Sequence, residues 1–169
     1  MTTRTSLLGA LAAGCLAAAS LGAAAATADD GHTVTSTVTE HGTFGVPNAT
    51  DFCTGEPISP TITGNEVFHV TFFPSGDEFW GTNTTEGTGS YVQPSTGLVF
   101  SGRVTVWGNF NQNSKNSNST FTATFSLTAV DSAGATHTET GHITEHVVFS
   151  AADPTTPAVF FTDFNATCS

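Results

Sequence analysis

The chain has 169 residues, 38% of them hydrophobic and only 10% charged, with 14 acidic residues against 3 basic ones and a formal net charge of −11 at pH 7. That is enough chain for one domain. Three basic residues exclude a nucleic-acid binder, which displaces counterions with Lys and Arg, and offer no polybasic attraction to anionic lipid; the 14 Phe residues exclude wholesale disorder.

Residues 1–28 read as a secretory signal peptide. Arg4 is the only charge of the short n-region, Leu7 to Leu21 is an apolar Ala/Leu run, and Ala26-Thr27-Ala28 fits the small-residue cleavage pattern. Ser6 to Ala28 is also long enough to cross a bilayer, which takes about 20 residues. The run is mostly Ala, however, and no basic stop signal follows it, so no stable membrane anchor is expected. Gly14-Cys15 offers lipid attachment as an alternative, disfavoured because the apolar run continues past it. Cleavage leaves residues 29–169 as a single secreted domain of net charge −12 with two cysteines, Cys53 and Cys168.

Two cysteines in an exported domain are expected to join in a disulfide. In the chain-entropy model, closing a loop of ~100 residues is an upper contribution of about 4–5 kcal/mol. A reactive thiol at Cys53 is the rival reading. Asp51, two residues away, argues against it, because a carboxylate raises a thiol's pKa.

The rest of the chain is written in period two. Thr and Phe, both strand formers, dominate, and Gly, Pro, Asn and Asp interrupt at short intervals. Strands are expected near 33–44, 57–63, 66–73, 78–91, 98–110, 119–130, 135–149 and 158–166, with Gly64-Asn65 as a tight turn. The clearest alternation puts Phe121, Ala123, Phe125, Leu127 and Ala129 on one face and Thr120, Thr122, Thr124, Ser126 and Thr128 on the other. That is a half-buried antiparallel strand. Eight long strands joined locally favour an all-β, antiparallel, up-and-down barrel, with a two-sheet β-sandwich as the alternative.

Several segments add a resemblance. Asp51-Phe52-Cys53-Thr54-Gly55, Val67-Phe68-His69-Val70-Thr71, Val106-Trp107-Gly108-Asn109-Phe110-Asn111, the Phe121–Ala129 strand, the His/Glu-rich strand and the terminal Cys together resemble a group of small secreted actinobacterial proteins of unknown function. Their architecture is similar to the calycin-type barrel of allene oxide cyclase and dirigent proteins. The resemblance covers essentially all of residues 29–169 and implies a barrel. It implies no activity, because no cyclase or dirigent catalytic set can be matched residue by residue.

The histidines and nearby glutamates are the only concentration of chemical groups. On one strand, His137, Glu139, Ile143, Glu145, Val147 and Phe149 share a face, and His142, Thr144, His146 and Val148 share the other. The first face is the more apolar and is expected to point inward, carrying Glu145, Glu139 and His137 as acid/base groups or ligand handles. A β-bulge at Gly141 would instead reset the register and put them in water. His142 and His146 lie about 13 Å apart on a strand, too far to share one zinc ion, so no metal or cofactor is expected. No Gly-x-Ser-x-Gly elbow occurs, and nothing singles out a glycosidase carboxylate pair. Trp107 and Arg103 fall on the outward face and give a modest surface-binding hint. Asn48, Asn83, Asn118 and Asn165 head glycosylation sequons, which matter only in a glycosylating host.

Three functions follow. The first is a barrel that binds a small apolar or amphipathic molecule in its lumen; Phe fills such a lumen, while Gly102, Gly108, Ala123 and Ala129 leave room. The second is a packed structural or surface-interaction protein. The third is a cyclase-like enzyme using a lumenal carboxylate, which fold alone does not license. Oligomeric state is left open.

Overall fold

A computed structural model describes residues 32–46, 49–75 and 78–169. Residues 1–28, expected as a signal peptide and including Cys15, and Asn48, head of a sequon, lie outside these residues. Nine strands make up the described secondary structure: β1 (Val34–Gly45), β2 (Ala49–Thr50), β3 (Pro57–Ile58), β4 (Thr61–Phe72), β5 (Phe79–Val92), β6 (Val99–Gln112), β7 (Asn116–Val130), β8 (Thr136–Ser150) and β9 (Asp153–Cys168). Seven of them form one antiparallel sheet in the order β1-β4-β5-β6-β7-β8-β9; β2 and β3 pair separately. The all-β, up-and-down expectation is met. No closed barrel forms, because β1 and β9 stay unpaired with each other, and the second sheet is too small for a sandwich of two like layers.

The expected turn at Gly64-Asn65 is corrected. Gly64 sits mid-strand in β4, in register with Gly42 of β1 and Gly87 of β5. Its lack of a side chain serves close approach, not chain reversal: a Cβ there would run into the carbonyl of Glu86 and lie 2.6 Å from Gly87 Cα. The two strands expected at 57–63 and 66–73 are therefore one long strand preceded by the short β3.

Period two sorts the sheet into two faces. One buries Ile62, Val70, Tyr91, Phe100, Val106, Ala123, Leu127, Ala129, Ile143 and Val147. The other carries mainly Thr, with cross-strand hydroxyl pairs such as Thr35–Thr71 at 3.0 Å and Thr43–Thr63 at 2.8 Å. Such pairs tie neighbouring strands together on a polar surface. The sheet wraps around its apolar face, since a single cavity draws its walls from β4 through β8. The segment between β1 and β4 covers one end, where Phe52 stacks between Phe125 (centroids 5.5 Å) and Phe164 (4.4 Å). A second aromatic group, Phe68, Phe79 and Phe110, lies towards the opposite end.

The disulfide Cys53–Cys168 forms as expected, with a Cα–Cα distance of 6.0 Å and a sequence separation of 115. It fastens the covering segment to the end of β9. No described helix is long and apolar enough to cross a membrane.

Candidate site at the covered end of the concave face

Tyr91 is the only tyrosine of the chain and stands on the inward face of β5, stacked on Phe100 at 5.2 Å. A buried phenol needs a partner for its hydroxyl, and here it finds two carboxyls. It donates to Glu139 Oε2 at 2.5 Å and, more weakly, to Asp51 Oδ2 at 3.3 Å. Glu139 reaches this point from β8 and is 5% exposed; Asp51 comes from the covering segment and is 1% exposed. Gln93 Nε2 donates to Asp51 Oδ2 at 2.8 Å, and the amides of Cys53 (2.8 Å) and Thr54 (3.1 Å) donate to Oδ1. Gln93 is fixed in turn by Thr96, whose hydroxyl donates to Gln93 Oε1 at 2.6 Å. Gly97, at φ 72°, closes that turn in the left-handed region that favours glycine.

Two buried carboxyls side by side cannot both ionise at ordinary pKa values. Burial pushes Glu139 up; the Tyr91 hydroxyl pulls it down, and the Asp51 charge pushes it further up. Burial also acts to raise Asp51, but the hydrogen bonds from Gln93 and from the Cys53 and Thr54 amides outweigh it and hold that carboxyl below its usual value. Asp51 is thus favoured as the carboxylate and Glu139 as the acid of the pair. Burial and both neighbours raise the Tyr91 phenol, so it remains a donor.

The cluster lies at the edge of a cavity of about 110 Å³, lined chiefly by Ile62, Val104, Val106, Ala123, Leu127 and Ile143, with Asp51, Tyr91 and Glu139 among its walls. An apolar cavity with a few convergent polar groups is the usual form of a small-molecule site. Asp51, Cys53 and Glu139 also hold potential metal-ligand atoms within 4.8 Å of one another. The Cys53 sulfur is committed to the disulfide, which leaves two carboxylates, fewer than the three or four protein ligands of a zinc site.

The expected residues divide. The β7–β8 register runs unbroken through Gly141, so no bulge resets it and Glu139 and Glu145 both face inward. Glu145 is 5% exposed, with no hydrogen-bond partner for Oε2. Burial pushes its carboxyl up. His137 has the same parity but sits at the rim with its side chain 41% exposed, its Nε2 3.2 Å from Asp131 Oδ2 in the β7–β8 turn. Trp107, 43% exposed, and Arg103 are on the outer face, so the structure does not bring them to Glu139 and Glu145. Asn83 is buried on the inner face, an unsuitable glycan acceptor in the folded chain.

Asp51, Tyr91 and Gln93 were not among the expected site residues. Parity carries a usable signal for Tyr91, a polar-tipped ring on the inward face of β5, which otherwise presents Phe79, Gly81, Asn83, Thr85, Gly87 and Gly89. Asp51 and Gln93 lie in connections, where periodicity carries no information on facing. Comparison with protein-family models, with curated proteins and with solved structures finds no match to this chain.

Proposed function

We propose that this is a secreted β-sheet protein that holds a small apolar or amphipathic molecule in its concave cavity, with Glu139 and Tyr91 as the polar handle. The observation that carries the reading is the apolar cavity ending in the Asp51–Tyr91–Glu139 cluster. The Cys53–Cys168 disulfide supports an oxidising compartment, and the leader-like residues 1–28 supply the route. A calycin-like architecture belongs to the same proposal, as a sheet wrapped round one cavity whose β1 and β9 edges stay unpaired with each other.

The same pair of carboxyls, one raised and one lowered, is what acid/base chemistry requires, and it favours the cyclase-like enzyme as a second reading. One experiment separates the two. Native mass spectrometry of the protein from its own culture supernatant should give the chain begun at Asp29, with additional mass released on denaturation. A ligand recovered unchanged after renewed incubation supports binding. Conversion that disappears in Glu139→Gln supports the enzyme. A clean apo mass favours the packed structural protein.

A further inference from the structure

The two edges of the main sheet are built differently. β1 points Glu40 inward, opposite Glu66 of β4, and an inward charge on an edge strand discourages further pairing. β9 has no Lys or Arg, and its other guards sit at its start: Pro154, Pro157 and the register shifts beside Val148 and Phe149. From Val159 to Cys168 it runs in unbroken register with β8, and the disulfide fixes its end. Val159, Phe160, Phe161 and Phe164 in this stretch are about half exposed.

The backbone shows which groups are free. Ser169 and Thr138 exchange both amide hydrogen bonds, at 3.0 and 2.7 Å. Such pairs recur at every second residue of an antiparallel ladder, so the odd-numbered residues from Val159 onward bond to β8. The N–H and C=O groups of Phe160, Thr162, Phe164 and Ala166 therefore point away from the sheet. Phe160 and Phe164, opposite Val147 and Ile143, turn their rings to the concave face, so the free backbone edge and an apolar stripe fall on the same residues.

A second copy of β9 complements this edge. Two copies related by a two-fold axis pair antiparallel and keep both concave faces on one side. Centred on Thr162, the pairing sets Phe160 against Phe164 of the partner subunit, and the reverse, giving aromatic cross-strand pairs that stabilise a sheet. Centring on Asp163 would oppose like charges, and centring on Phe161 would set Phe160 against Thr162. The three half-exposed rings offer roughly 75–125 Å² each. Over two copies that is roughly half to three quarters of the ~1,000 Å² of a specific interface, and Val159 and the backbone edge extend it.

We propose that the protein forms a two-fold dimer in which β9 pairs with β9 of a second copy about Thr162, so that one sheet runs through both subunits. The test is sedimentation equilibrium on residues 29–169 with the disulfide intact, as wild type and as Thr162→Pro. Proline at this outward-facing N–H takes no bond from the β8–β9 ladder and blocks the free edge. The wild type is expected to reach a dimer and stop, since a two-fold contact closes at two copies. Thr162→Pro should raise the dimer dissociation constant at least about tenfold. Thr39→Pro is the control on the other edge. Val46 N donates to Pro60 O at 2.9 Å, which by the same alternation turns the Thr39 N–H of β1 outward, and the dimer should survive that change. Should Thr162→Pro fail to fold, Phe160→Lys, an inward charge on the edge, takes its place with the same expectation. A dimer that the β9 variant leaves intact, or that Thr39→Pro weakens as much, overturns the proposal. So does growth beyond two copies, the mark of β9 pairing with β1 of the next chain. A monomer at every concentration also overturns it and leaves the edge to a different polypeptide.

Discussion

Burial raises the Glu145 carboxyl with nothing to offset it, and unfolding returns it to the ordinary 4.5. A carboxyl raised in the folded state gives stability that is fully present below the unfolded value and is lost as pH rises through the folded one. Glu139 has the same sign, since burial and the Asp51 charge outweigh the Tyr91 hydrogen bond. Asp51 has the opposite sign: its hydrogen bonds outweigh burial, so its contribution is present above 3.8 and is lost as pH falls through its lower folded value. These three groups therefore set a stability maximum on the acid side of neutrality and a decline as pH rises from 4.5 through the higher folded values of Glu139 and Glu145. Glu145→Gln keeps the shape and removes the ionisation. It is expected to raise the melting temperature at pH 7–8 and to flatten the decline, with little gain near pH 4. Melts across a pH series check this, and an unchanged slope would remove Glu145 as a cause.

At the scale of the strand, the glycines govern how closely β4 and β5 approach. Gly42, Gly64 and Gly87 form one row across β1, β4 and β5. A Cβ on Gly64 would strike the β5 backbone, whereas a Cβ on Gly42 would meet only Phe44 Cζ at an ordinary 3.8 Å. Gly64→Ala is therefore expected to cost about 1–3 kcal/mol, and Gly42→Ala to stay within about 0.5 kcal/mol. Denaturant melts of the two single variants compare them directly, and equal costs would refute close approach as the reason for Gly64. The same row shows where the sequence is legible. Alternation on β7 and β8 reveals which side chains turn inward, Glu139 and Glu145 among them, because burying one face imposes period two. It does not reveal why a glycine is present: Gly64-Asn65 reads equally as a turn or as close packing, and only the neighbouring strand decides. Nor does alternation reach Asp51 or Gln93, which are positioned by hydrogen bonds between segments far apart in sequence.

Across the whole molecule, the candidate site joins two segments through the disulfide. Cys53 follows Asp51 by two residues and donates its amide to that carboxylate, while Cys168 lies in register with Glu139. The bridge thus stands beside both carboxyls of the cluster. It also holds β9, an edge strand whose Val159, Phe160, Phe161 and Phe164 are exposed and which gains little from burial of its own. Apolar side chains on an unpaired edge invite pairing with other chains, so a strand of this kind depends on its fastening. Reduction of the bridge, or Cys53→Ser with Cys168→Ser, is expected to cost about 2–5 kcal/mol. The loss should be uneven, because β5 to β7 keep partners on both sides. Hydrogen exchange on the reduced protein is expected to quicken in residues 49–58 and 153–168 while the β5–β7 ladder stays protected. An increase spread evenly over the sheet would show that the bridge stabilises the fold as a whole; acceleration confined to those two segments would show that it clamps the covering segment and β9 over the cavity.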